Sequence, residues 1–167
     1  MNEVRRRPIN FAELSDLRHE TLTSEQQTFM TPEFLVIRYV GVYRPGSAGR
    51  GDALYIVATA KAAREAWYCS STILDFRKLE YVWGDEMEWV TSITWDRVIC
   101  YHAPLAIVVG AQCRGAMKSL LRDRYGTFCV ETLEQAYATG RQKAQDYKMY
   151  LKDWHPSVAT GPEGQNT

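Results

Sequence analysis

The chain has 167 residues, enough to bury one hydrophobic core and too few for two ordinary domains. Twenty Lys and Arg balance twenty Asp and Glu, so no overall field draws the molecule to nucleic acid or to an anionic membrane. With 46% hydrophobic and 24% charged residues it reads as a folded protein, and no apolar run nears the roughly 20 residues that would span a bilayer.

The amino-terminal stretch MNEVRRRPINFAEL lacks the apolar centre of a secretory signal. Cys69, Cys100, Cys113 and Cys129 are widely spaced with no CxxC pair, which argues against a zinc cage or a disulfide framework. Reduced thiols in a cytoplasm are the expectation. Residues 1–33 are polar and weakly patterned. Arg5-Arg6-Arg7 reads as a solvated arm, a short helix fits Phe11–His19, and Thr23–Gln26 suits the start of another turn. The segment is expected to be an arm laid over the domain, partly mobile, or ordered by a partner.

FLVIRYVGVY (Phe34–Tyr43) is a β-rich run, and RPGSAGRG (Arg44–Gly51) is a glycine-rich loop. Asp52 suits the N-cap of a helix over 53–68, with Leu54, Val57, Ala58, Ala62 and Trp67 near helical spacing. A second strand covers 72–76 and extends towards Leu79. Acids in a first turn predict a helix over 85–95. PLAIVVG (104–110) reads as a strand buried on both faces, followed by a helix over 112–125 that Gly126 stops. TFCV (127–130) is a small fourth strand. Thr132 with Gln135 makes a capping box for a last helix reaching Trp154, and 155–167 is a polar, disordered tail. Strands alternating with helices predict one α/β domain over 34–154, with a mainly parallel sheet of four or five strands and right-handed crossovers.

Ile73-Leu74-Asp75-Phe76 leads through Leu79, Tyr81 and Val82 to Gly84-Asp85-Glu86. This order is similar to the strand-into-helix motif of STAS domains, the sulfate-transporter and anti-sigma-factor-antagonist family. PLAIVVG and TFCVETLEQAYA resemble the family's later strands and terminal helix, so the likeness covers 34–153. It implies a bacterial, partner-binding regulatory fold. Regulatory members carry a phosphorylated serine at that helix start, whereas Trp83–Glu86 offers no hydroxyl. Asp85 and Glu86 place a fixed negative charge there instead.

Several residue sets bear on chemistry. Asp75, inside a strand, is either a catalytic carboxylate or one that caps nearby amides. Asp85 and Glu86 are an acid/base pair or ordinary first-turn acids. AQCRG (111–115), between a strand and a helix, approximates a nucleophile elbow that would present Cys113, with His102 as a distant base. The alternative for Cys113 is a small buried thiol. PGSAGRGD lacks the lysine of a phosphate-binding loop and reads as a flexible connection. Arg114, Lys118 and Arg122 form a basic stripe, solvated or facing an acidic partner. No metal or cofactor motif is present in the sequence.

Five Trp and ten Tyr supply large rigid contacts beyond what packing requires, and Trp83, beside a glycine, is expected to be exposed. The sequence thus favours a non-catalytic module that binds a toxin or regulatory target through Trp83, Asp85, Glu86, Glu88, Arg44 and Arg50. It would act as a STAS-like regulator or as a toxin-immunity protein, with a homodimer left open. A small hydrolase or transferase using Cys113 and His102 is the alternative.

Overall fold

The computed structural model describes residue 7 and residues 9–23 and 32–154. Of the turn expected at Thr23–Gln26, Thr23 instead ends a strand and residues 24–26 lie outside them, as does the tail at 155–167. One sheet holds five strands: β1 (Arg18–Thr23), β2 (Phe34–Val42), β3 (Ser71–Glu80), β6 (Leu105–Val109) and β7 (Cys129–Val130), in that spatial order. The last four are parallel, and β1 runs antiparallel along β2, from Arg18 opposite Val40 to Thr23 opposite Leu35. A two-stranded hairpin, β4 (Trp95–Asp96) with β5 (Tyr101–His102), stands apart. The helices are α1 (Gly49–Trp67), α2 (Ala111–Leu121), the single turn α3 (Tyr125–Phe128) and α4 (Leu133–Asp153).

The parallel strands follow one another across the sheet in chain order. Right-handed crossovers that always step the same way lie on the same face. The packing agrees: Ile56 of α1, Met117 of α2, and Met87, Val90 and Ile93 of the β3-to-β6 connection share one core with Ile37, Tyr39, Leu74, Phe76 and Ile107. The opposite face is smaller. There Phe34, Val36, Ile73, Ala106 and Val108 meet Ala136 of α4, with Leu133 and Tyr137 beside it. Strands sandwiched this way need apolar residues on both sides, which explains the continuous burial of Ser71–Phe76 and Leu105–Val109.

α4 starts as its sequence predicts. Thr132 Oγ1 accepts from the Gln135 amide, and the Gln135 side chain reaches back to the Thr132 amide. At Gly140 this helix comes closest to the sheet: a Cβ there would stand 2.6 Å from Ser71 Oγ and 3.1 Å from the Phe34 ring.

Five local expectations are corrected. The arm is not merely laid over the domain: Phe11–Glu13 makes one 3-10 turn, and residues 18–23 form the edge strand, tied to α1 where His19 Nδ1 meets the Tyr55 hydroxyl at 2.7 Å. α1 begins at Gly49, with Asp52 inside its first turn, not at the cap. Its buried face is Ala53, Ile56, Ala60 and Ala63, so the helix is turned relative to the bulkier stripe, and Leu54 and Trp67 stay exposed. Small side chains let the helix lie close to the sheet.

No helix forms over 85–95. Glu86 adopts φ 68°, outside the right-handed region, and only a 3-10 segment (Met87–Ser92) follows before β4. The β-branched Val90, Thr91 and Thr94 add little helical preference. Gly126 does not stop α2, which ends at Leu121; it lies within α3.

Candidate functional site: the shelf at the carboxyl ends of the strands

The segments leaving β2 and β3 are fastened to each other. The Tyr43 amide donates to the Glu80 carbonyl, and the Asp85 amide donates to the Gly46 carbonyl. The Tyr43 hydroxyl donates to the Asp85 carbonyl at 2.6 Å, and the Tyr43 and Tyr81 rings meet edge-on with centroids 5.1 Å apart. The Tyr81 amide in turn donates to the Gln112 carbonyl at the start of α2. Burial pushes both phenols up, Tyr81 to about 12, so both stay protonated donors at neutral pH.

Two glycines make this closeness feasible. A Cβ on Gly84 would stand 2.7 Å from both the Arg44 carbonyl and the Tyr43 ring, and one on Gly51 would stand 2.3 Å from the Leu14 carbonyl. The glycine-rich stretch expected to be a flexible loop is therefore a packed junction, with Gly46 alone requiring the left-handed region at φ 60°.

Beneath the junction lies a polar knot. The Asp52 carboxylate, 1% exposed, accepts from the Arg44 amide at 2.7 Å, from Arg44 Nη2 at 2.8 Å and from the Ser15 hydroxyl. Arg44 Nη2 also donates to the Leu14 carbonyl. The knot joins the amino-terminal segment, the end of β2 and the first turn of α1. Arg44 is thus tied into the fold through its amide and guanidinium while its side chain stays 40% exposed. Arg50 is different: largely exposed, it lies 3.5 Å from a Glu86 carboxylate oxygen.

On this fixed backbone stand Val82 and Trp83, 70% and 60% exposed, with Val42 also exposed at the end of β2. The Trp83 ring rests on Gly46, where a Cβ would come within 3.2 Å of its Cη2. Asp85 and Glu88 are exposed beside it, and Glu86 is half-buried. The structure therefore gathers Trp83, Asp85, Glu86, Glu88 and Arg50 at one edge. Val82 was missed in sequence, because a valine two residues past a strand reads as core.

The catalytic candidates are not brought together. Cys113 is 1% exposed, and its thiol donates to the Phe76 carbonyl at 3.4 Å and the Gly110 carbonyl at 3.6 Å. Burial pushes this thiol up, outweighing the Gly110 contact and the Arg114 charge. His102 precedes β6 while Cys113 follows it, so about 16 Å of strand separates the two. Cys113 is a packed apolar thiol, and no imidazole contacts it among the described residues.

Asp75 lies mid-strand, 1% exposed, two residues from Ile73 and so on the same face of the sheet. It accepts from the amide and guanidinium of Arg77 and from Arg38 Nε at 3.1 Å. Burial alone would raise its pKa, yet these donors hold it below the ordinary carboxylate value. Its role is to bind two arginines. In the basic stripe, Arg114 pairs with Glu131 at 3.4 Å, Lys118 is exposed, and Arg122 has left the helix as its C-cap.

Among the described residues, no group of three His, Cys, Asp or Glu side chains is placed to hold a metal, and no helix is long and apolar enough to cross a membrane. Comparison with protein-family models, with curated proteins and with solved structures returned no match.

Proposed function

We propose that this chain is a non-catalytic protein-binding module that docks a partner protein on the shelf formed by Val82, Trp83, Asp85, Glu86, Glu88 and Arg50. The observation that carries this reading is the pairing of two exposed apolar side chains with a rigidly fastened backbone. Pre-ordered aromatic anchors lose little entropy on binding, which is why Trp dominates interface energies.

Topology argues the same way. Open α/β sheets hold small substrates in the crevice where the strand order reverses. The parallel strands here never reverse order, so the carboxyl edge has no such crevice and offers a surface instead. Of the two versions of the partner reading, an antagonist that occludes its target, as an immunity protein does to a toxin, is favoured over a STAS-like regulator. Neither a hydroxyl nor a helix start is present at Trp83–Glu86 to carry a phospho-switch. Action in a bacterial cytoplasm fits this reading.

The test is recovery of the tagged chain from its own host with mass spectrometry of bound proteins, followed by affinity measurement. Trp83→Ala is expected to weaken the partner's binding at least about 30-fold, the equivalent of 2 kcal/mol, with an unchanged melting temperature. Asp85→Lys with Glu86→Lys should slow association. Unchanged affinity in both variants would overturn the proposal.

A further inference from the structure

A second site lies at the opposite end of the sheet, where β6 begins. A pocket of about 290 Å³ opens between the β4–β5 hairpin, residues 127–128 and α4. Trp95, Tyr101, His102 and Phe128 bring four aromatic rings to its walls. The His102 ring meets Trp95 edge-on at 4.7 Å and Phe128 at 5.8 Å. Tyr101 stacks on Tyr150 at 4.1 Å, and the Tyr150 hydroxyl donates to the Ile99 carbonyl, which stiffens the hairpin from behind. The size is at the small end for ligand pockets, and the lining is of the expected kind: apolar surface with few polar groups.

The polar group that matters is the Lys143 ammonium. It donates to the Leu105 carbonyl at 2.6 Å and to the Thr127 carbonyl. An ammonium has three N–H donors, so one is uncommitted among the described residues. Burial pulls this lysine down from its ordinary value, which marks an ammonium poor in water contacts. A second cation is close. Arg124 and Lys143 each lie 5.3 Å from the Phe128 ring centre, and both charges act on His102. Asp146, three residues along α4, also lines the pocket and accepts from Gln142, so an anion is favoured only at the Lys143 end.

From this arrangement we infer that the pocket binds a small planar aromatic carboxylate, its ring against the Trp95, His102 and Phe128 side chains and its carboxylate on Lys143. Neither the shelf nor the partner reading predicts such a ligand. A single free donor matches a carboxylate better than a phosphate, which needs several. The pocket volume admits a ligand of one or two fused rings.

The exposed Cys100, which lines the pocket at φ 50°, supplies a reporter. The full chain is titrated with 2-naphthoate and, separately, with the uncharged 2-naphthamide, and binding is followed by calorimetry and by the Trp95 indole resonance. Saturable one-site binding of naphthoate is expected, with naphthamide about tenfold weaker or more. Saturating naphthoate should slow iodoacetamide labelling of Cys100. Lys143→Met should abolish the preference for the charged probe. Lys143 also ties two carbonyls, so that variant removes fold contacts as well; Trp95→Ala, at the exposed rim, is expected to weaken both probes about tenfold while leaving circular dichroism unchanged. Equal affinity for the two probes, no saturable binding at millimolar probe, or unaltered binding in Trp95→Ala overturns the proposal.

Discussion

The hydroxyl of Tyr43 donates to the carbonyl of Asp85 across 42 residues of sequence, and that one bond spans the two loops that carry the exposed tryptophan. Tyr43→Phe keeps the ring against Tyr81 and removes only the donor. It should cost about 1 kcal/mol in denaturant unfolding, the usual net value of one hydrogen bond. Hydrogen exchange at the Asp85 amide, which donates to Gly46, should quicken by more than global destabilisation explains.

Arg44 and Asp52 differ in access to water, and their variants should differ accordingly. Arg44 is 40% exposed, while Asp52 is 1% exposed. Asp52→Asn leaves a guanidinium that water can still reach, at about 1–3 kcal/mol. Arg44→Met strands a buried carboxylate, and about 3–5 kcal/mol is expected. Urea unfolding of both variants checks the order, which is the point of the experiment.

Asp75 should make the protein sensitive to acid. Its two arginines hold the folded carboxyl below the unfolded value of 3.8, so its contribution is complete well above that pH and is lost as pH falls through the folded value. Asp75→Asn should be about 1.5–3 kcal/mol less stable at pH 7, the range for hydrogen bonds to a charged group. The gap should close at the lowest pH at which both proteins still fold, as read from paired melting curves.

Ser71 and Gly140 should show coupled energetics. The Ser71 hydroxyl is buried with no hydrogen-bond partner among the described residues, so Ser71→Ala is expected to be neutral or stabilising. Gly140→Ala should destabilise alone, because its methyl would meet that hydroxyl. In the Ser71→Ala background the penalty should shrink, since the hydroxyl is gone and alanine favours the helix by up to about 1 kcal/mol. A thermal-unfolding double-mutant cycle gives the interaction energy.

The central strands were legible because a strand covered on both faces leaves a largely apolar run, unbroken in LAIVV and interrupted only by Asp75 in ILDF. α4 was legible from Thr132 and Gln135. β1 was not: RHETLT is an edge with five polar residues, and its pairing along β2 is a long-range fact that local composition does not encode. The face of α1 was misread because Leu54 and Trp67 are bulkier than the alanines that actually meet the sheet. The helix expected over 85–95 fails where Glu86 takes φ 68°, directly after Asp85, whose amide and carbonyl are held by Gly46 and Tyr43. The exposure of Trp83 was readable, whereas the pocket beside His102 was not, since its walls come from residues 95–105, 127–128 and 143–146.

Because α4 is, among the described residues, the helix that roofs the smaller face, synthesis of this chain passes through a vulnerable stage. Until residues 133–153 have emerged, Phe34, Val36, Ile73, Ala106 and Val108 have no cover, and the half-built sheet presents them to whatever is near. A ribosome stalled before Leu133 would release a sticky fragment, and a chaperone shielding that apolar strip would act on the nascent chain before the finished protein exists.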